Sequence, residues 1–281
     1  FVYNTGVSLL ETRRRRGGII VGVARPNAVG AVALRRLLGV PYVVCCHGKE
    51  LVSTARLRRW TNRLLLRYAD GVIANSAFTA QLAIRSGARP ATVRILRPAF
   101  SAPPDAPDLP DRCMELRRRH NLEGRRVLLT VGRLVARKGH EQVLRSLKAL
   151  IGEHDELRYV IVGDGPERNR LERIVSDAGL SDAVLFTGRV SDQELRAWYQ
   201  LADIFVMVSR SDEQDIEGFG IVYLEAAFAG LPVIAGRGGG VEDAMVPGVT
   251  GLLVDPLSTT ELTAALRRLL DNPDEAVAMG D

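Results

Sequence analysis

The feature that most constrains this chain is an alternation of short, unbroken apolar runs with amphipathic stretches of about ten to fifteen residues. Gly18-Ile19-Ile20-Val21-Gly22-Val23, Tyr42-Val43-Val44-Cys45-Cys46, Gly71-Val72-Ile73-Ala74 and residues 92–96 read as strands, and residues 28–38, 57–68 and 78–85 read as helices. Strands that do not alternate between apolar and polar residues are buried on both faces, and helical links of that length make crossovers. The expectation is a parallel α/β layer structure. Residues 101–111 hold four prolines, which cannot join a central strand or a helix interior, and read as a linker. The pattern then restarts, with strands at 127–131, 159–162, 184–186, 204–208, 233–235 and 252–254, and helices at 140–151, 167–178, 192–201, 221–229 and 260–270. Two Rossmann-like domains are predicted, 1–100 and 112–281, joined by 101–111, with parallel sheets and a ligand cleft at the carboxyl ends of their strands.

A chain of 281 residues fits two domains at roughly 150 residues each. Charge is distributed unevenly along it. Residues 1–110 carry 17 Lys and Arg against 5 Asp and Glu, a balance of +12, whereas residues 111–281 carry 21 against 28, a balance of −7. The first half is therefore expected either to meet an anionic surface or to present a solvated Arg-rich exterior. It lacks the aromatic interleaving and the modules of nucleic-acid binders, so no nucleic-acid partner is expected. No apolar run approaches the ~18 residues of a membrane span. Cys45, Cys46 and Cys113 form no disulfide framework, and neither they nor the four histidines are spaced as zinc ligands, so a reducing compartment and no metal are expected.

Several segments carry chemistry. Gly163-Asp164-Gly165 follows a strand, but Arg168 occupies the third glycine position of a dinucleotide fingerprint, and a tight turn is the better reading. Gly132-Arg133, followed by Lys138-Gly139, puts a guanidinium fork and a point charge at a strand's carboxyl end, suited to two adjacent phosphates. Glu217-Gly218-Phe219-Gly220-Ile221 opens a helix whose free amides favour an anion. Glu225 lies more than one turn into that helix among apolar neighbours; a carboxylate there can accept from both hydroxyls of a ribose, and without a partner it would be costly. His47 ends a strand of the first domain, where structural and cleft-facing roles are equally open. Ser76 and Thr79 read as a helix cap, and Arg237 to Gly240 as a turn that could approach a ligand.

In order and spacing, His47-Gly48, Gly132-Arg133 with Lys138-Gly139, Val162-Gly163-Asp164-Gly165-Pro166, Phe186-Thr187-Gly188-Arg189-Val190, the Glu217 to Glu225 element and Gly238-Gly239-Gly240 through Val254 resemble the retaining GT-B glycosyltransferases of family 4. The stretch from Asp215 to Glu225, followed by Gly236-Arg237-Gly238-Gly239, is most similar to GDP-mannose-dependent phosphatidylinositol mannosyltransferases within that family. The resemblance implies an acceptor domain followed by a donor domain, and a reaction that moves a hexose from a nucleotide sugar to a lipid or small polyol. Arg133 and Lys138 would hold the diphosphate, Glu225 the ribose and the backbone at Val190 the base. Glu217 with the amides of Phe219, Gly220 and Ile221 would hold sugar and phosphate, and His47 would approach the donor sugar. The leaving phosphate is implied to take the acceptor proton, with no metal or other cofactor.

The chain departs from the family pattern in three places. The family's opening strand with its glycine-rich loop and its closing C-terminal helix would lie outside residues 1–281, and Arg97-Pro98-Ala99-Phe100 replaces the usual Pro-Asn-Gly-Val-Asp link, so a fragment is expected. The expected location is cytoplasmic, with peripheral attachment to the inner face of a membrane through the basic half. The alternative readings are a GT-B-fold epimerase and a non-catalytic nucleotide-binding module, against which the two-glutamate element and the Arg133/Lys138 pair argue.

Overall fold

Residues 7–10, 17–24, 28–100, 106–211 and 215–280 are described by a computed structural model of the chain. They form two units, residues 1–99 with 211–219, and residues 100–210 with 220–281. The segment 211–219 belongs with the first unit although in sequence it interrupts the second.

The first unit is a five-stranded sheet in the order β1 (Val7–Leu10), β2 (Gly18–Val21), β3 (Tyr42–Cys46), β4 (Gly71–Ala74) and β5 (Val93–Ile95). Strands β2 to β5 are parallel. Their crossovers are α1 (Val29–Leu38), α2 (Arg56–Tyr68) and α3 (Ala77–Arg85), and α1 packs on α2. The core joins Val44 and Val72 of the sheet to Leu65 and Leu66 of α2. Tyr42 is buried with its hydroxyl donating to the Leu65 carbonyl at 2.6 Å, which satisfies the polar end of a ring otherwise surrounded by hydrocarbon. Ser76 caps α3 as expected, its hydroxyl accepting from the Thr79 amide at 3.0 Å.

The second unit is a six-stranded parallel sheet built from β6 (Arg126–Val131), β7 (Leu157–Val162), β8 (Val184–Gly188), β9 (Ile204–Met207), β10 (Val233–Gly236) and β11 (Gly251–Val254). Their order is β11-β10-β9-β6-β7-β8. The chain winds outward from β6 through β7 to β8, then returns to lay β9 on the other side of β6. A sheet wound in both directions leaves a crevice at the carboxyl ends of the strands where the winding reverses, here β6 and β9. Around the sheet stand α4 (Leu109–Arg119), α5 (His140–Leu150), α6 (Arg168–Asp177), α7 (Asp192–Leu201), α8 (Ile221–Phe228), α9 (Thr259–Asp271) and α10 (Pro273–Gly280). Helix α5 packs on α6 and α9, and α4 on α7. The core between α5, α9 and the sheet is largely apolar, with Leu144, Leu147, Ile161, Val206, Leu266 and Leu269 at most 1% exposed.

Three elements escape the sequence reading. Strand β1 is four residues long and pairs antiparallel with β2, Val7 opposite Val21, so it is no part of the parallel repeat. Helix α4 begins at Leu109, inside the stretch read as a linker, because Pro110 falls in its first turn, where a missing amide hydrogen costs nothing. Helix α10 lies beyond the last predicted element. Residues 101–105 of the linker and the Arg13 to Arg16 cluster lie outside the described residues.

Candidate active site

The loop from β6 to α5 carries the two predicted cations. Strand β6 ends at Val131, the chain passes Gly132 and the exposed Arg133, and a single turn of 3-10 helix, Ala136–Lys138, leads to Gly139. Gly139 adopts φ +75°, and a Cβ there would sit 2.4 Å from the carbonyl oxygen of Val208, just past β9. The closeness of the two strand ends therefore dictates the glycine that follows Lys138. Lys138 is only 8% exposed, and its Cε lies 3.7 Å from the position a Cβ on Gly132 would take, with the Met207 sulfur of β9 at 3.8 Å. The predicted clamp thus stands at the reversal of the winding.

Gly132, Arg133 and Val190 line one cavity of about 350 Å3 together with Val162, Asp164 and Arg189. Asp164 belongs to the turn set aside as a dinucleotide fingerprint. Its carboxylate accepts from the Gly165 amide at 2.8 Å and its carbonyl from the Leu134 amide at 3.1 Å, so the turn is structural and a cavity wall at once. The cavity lining combines the apolar Val131, Val162, Val190 and Leu195 with the charged Arg133, Asp164 and Arg189, a composition suited to a flat heterocycle attached to a phosphate.

Helix α8 starts at Gly220 in the left-handed region, φ +89°, with no side-chain cap over the amides of Ile221 and Val222, while the Tyr223 amide donates to the Gly220 carbonyl at 3.1 Å. Ile221 is 40% exposed. Glu225 is half-buried, and it has the partner that its apolar surroundings demand: the Tyr199 hydroxyl of α7 donates to Glu225 Oε2 at 2.7 Å. Sequence reasoning missed Tyr199, since an aromatic in an amphipathic helix looks like ordinary core.

Glu217 and His47 both belong to the first unit, apart from Glu225 in the second. Glu217 is 8% exposed and its amide donates to Ser211 Oγ at 3.3 Å; Phe219 is buried too, at 4%. Gly218 sits on the turn after β3, where a Cβ would lie 1.9 Å from the His47 carbonyl oxygen. Lys49 and Asp215 add an exposed ion pair at 3.1 Å. The His47 ring donates from Nε2 to the Gly22 carbonyl at 3.2 Å, a bond that selects the tautomer. Beneath it, the buried Glu50 accepts the amides of His47 and Gly48 on one oxygen, at 2.6 and 3.3 Å, and holds the turn. The Arg237 turn is pinned by its amide to the Val254 carbonyl at 2.7 Å, a strand-edge connection.

Comparison with known proteins bears on this site. Residues 114–281 match the family described as glycosyl transferases group 1, and residues 7–99 match a glycosyl transferase 4-like domain. The chain belongs to the glycosyltransferase group 1 family. It is 36% identical to a GDP-mannose-dependent alpha-(1-6)-phosphatidylinositol monomannoside mannosyltransferase of Mycolicibacterium smegmatis, over 92% of this chain and 68% of that protein. It is 32% identical to an alpha-D-kanosaminyltransferase of Streptomyces kanamyceticus, over 86% of this chain and 64% of that one. Among solved structures, Anabaena HepE in complex with UDP superposes with a TM-score of 0.78 at 20% identity, over 93% of this chain and 71% of that chain. The glycosyltransferase assignment favours sugar transfer over the epimerase and non-catalytic alternatives, and the GT-B fold is that of its structural neighbours.

In this glycosyltransferase the loop between β6 and α5 rests on a buried polar string. His140, the first residue of α5, is 2% exposed, and its Nδ1 lies 3.4 Å from the Tyr159 hydroxyl of β7. That hydroxyl is 2.9 Å from Thr130 Oγ1 of β6, which in turn donates to the Val206 carbonyl of β9. Burial pushes the His140 pKa down to about 4; the Arg133 backbone opposes the shift and the Lys138 charge adds to it. The unfolded chain, with a histidine pKa near 6.5, binds the proton first as pH falls. The stability lent by neutral His140 is therefore complete above about pH 6.5 and drains between there and about pH 4. His120, lowered chiefly by burial, acts in the same direction. Urea midpoints at pH 7 and pH 5 should differ clearly for the parent and less for His140→Gln; an equal drop in both would show that the ring does not carry this dependence.

Proposed function

We propose that this glycosyltransferase moves mannose from GDP-mannose to a lipid acceptor. The observation that carries the reading is the meeting of Gly132, Arg133 and Val190 around one cavity beside buried Lys138, where the winding of the sheet reverses. Mannose, guanosine and the lipid are supported by the 36% identity to the mycobacterial mannosyltransferase. In this reading the base enters the cavity against the backbone at Val190, Arg133 and Lys138 hold the diphosphate, and Glu225 takes the ribose. Glu217, with the amides of Phe219, Gly220 and Ile221, holds the transferred sugar and its phosphate, and His47 meets that sugar. As the glycosidic bond to phosphate breaks, negative charge grows on the leaving diphosphate; a fork and a point charge already in place stabilise it without reorganising. The leaving phosphate accepts the proton of the acceptor hydroxyl, so the reaction requires neither a side-chain base nor a metal.

Arg133→Ala and Lys138→Ala are each expected to lower kcat by on the order of 10² or more, as loss of one stabilising donor does at other sites of developing charge. EDTA should leave the parent's activity unchanged. Activity within twofold of the parent in both variants, or a strict metal requirement, would move the clamp elsewhere.

The acceptor side of the proposal rests on the surface of α1 and α2. Among the described residues no helix is long and apolar enough to cross a membrane. On α2, however, Arg56, Arg59, Trp60, Arg63 and Arg67 are all exposed and fall on one helical face, with Leu65 opposite in the core. Leu57 is 69% exposed, beside Trp60 at 59%. Arg58, by contrast, is half-buried. The neighbouring α1 exposes Leu37 and Leu38 at 80% and 71%. Guanidinium groups around an exposed indole and leucines suit an anionic bilayer, where each cation near the surface contributes about 1 kcal/mol. Reversing Arg59 and Arg63 to Glu should weaken binding to phosphatidylglycerol-containing vesicles at low salt and slow transfer to a lipid acceptor, with GDP affinity unchanged. Vesicle binding that is absent, or untouched by the reversal, would favour a soluble polyol acceptor.

A further inference from the structure

Glu225 is the one carboxylate of the second unit read as a ligand for the donor, and what holds it decides what it can recognise. Tyr199 stands in the last turn of α7, 5% exposed, with its hydroxyl 2.7 Å from Glu225 Oε2. Its ring meets Phe205 of β9 at 5.9 Å between centroids, and Phe205 meets Tyr223 of α8 edge-on at 5.9 Å. The Tyr223 hydroxyl donates to the Met207 carbonyl at 2.8 Å. The three rings fix the phenol from the strand side and from the helix that carries Glu225. Burial first, and the neighbouring carboxylate next, push the Tyr199 pKa well up, so the hydroxyl stays protonated and serves Glu225 as a donor. The Tyr199 bond is the only hydrogen bond to the Glu225 side chain among the described residues. An ionised carboxylate offers about four lone-pair sites, of which the phenol fills one.

We propose that Tyr199 is a positioning residue for ribose recognition: by holding Oε2 it fixes the Glu225 rotamer and presents the remaining acceptor sites to the 2′ and 3′ hydroxyls of the donor. The proposal rests on the assignment of Glu225 to the ribose. A flexible glutamate must be ordered by the ligand, whereas one already fixed by the protein binds the diol without that loss, as with residues that orient metal ligands from behind. A purely structural tie between α7 and α8 would instead contribute to stability and leave ligand discrimination alone.

Isothermal titration separates the two roles. The probes are GDP and 2′-deoxy-GDP, with UDP and 2′-deoxy-UDP as a second pair, on the parent, Tyr199→Phe and Glu225→Gln. Tyr199→Phe removes one hydroxyl and keeps the ring against Phe205; its thermal midpoint is measured alongside, and the titrations are run well below it. The parent is expected to prefer the ribose form by about tenfold, the usual worth of a hydrogen bond to a charged group. In Tyr199→Phe the preference should fall to about threefold or less, through weaker binding of the ribose form alone. If Glu225→Gln erases the preference while Tyr199→Phe keeps it, the positioning role is wrong and the ribose assignment stands. If the parent shows no preference, if Glu225→Gln retains it, or if no probe binds, the ribose assignment fails and the Tyr199 proposal falls with it.

Discussion

The second unit depends on a reversal of winding. Because β9 returns to the far side of β6, the carboxyl ends of these two neighbouring strands are left uncovered by any crossover. The two predicted cations collect there for physical reasons. The loop after β6 runs close beneath the end of β9, and the Val208 carbonyl admits only glycine at 139. That turn keeps Lys138 buried beside Gly132 while Arg133 remains exposed. The Thr130, Tyr159 and His140 string ties β6, β7, β9 and the first residue of α5 together just below the loop. Packing holds the Lys138 ammonium at this strand end, so charge developing on a phosphate there would meet a cation already in place.

Glutamates 217 and 225, eight residues apart in sequence, are supported differently. Glu225 sits in a helix and is held by a phenol within a stack of aromatic rings. Glu217 precedes two glycines, and Gly218 packs so closely on the His47 carbonyl that no side chain fits. The His47 turn is in turn held by a buried carboxylate, Glu50, which accepts two of its amides.

Much of this was legible in the sequence. Buried parallel strands leave unbroken apolar runs, so β3 and β4 fall where those runs predict and β6 within one residue of it. Glycines at 139 and 218 mark close backbone approaches, and the cations and carboxylates flank them. What escaped has physical causes. An antiparallel edge strand such as β1 gives no repeat to detect. Pro110 suggests a break although the first turn of α4 tolerates it. Tyr199 could not be singled out, because its role lies in one hydroxyl that reaches a residue 26 positions away.

The central claim is that the β6 and β9 ends form the seat of a nucleoside diphosphate sugar. Thermal unfolding of the chain with GDP-mannose, UDP-glucose and ADP-glucose tests it most directly, since a ligand that binds only the folded state stabilises it by about 2.7 kcal/mol at a hundred times its Kd. The account predicts a concentration-dependent rise in Tm, largest with GDP-mannose, that disappears when Arg133 and Lys138 are both replaced by alanine. No rise with any of the three sugars at millimolar concentration, or a rise that survives the double replacement, would contradict it.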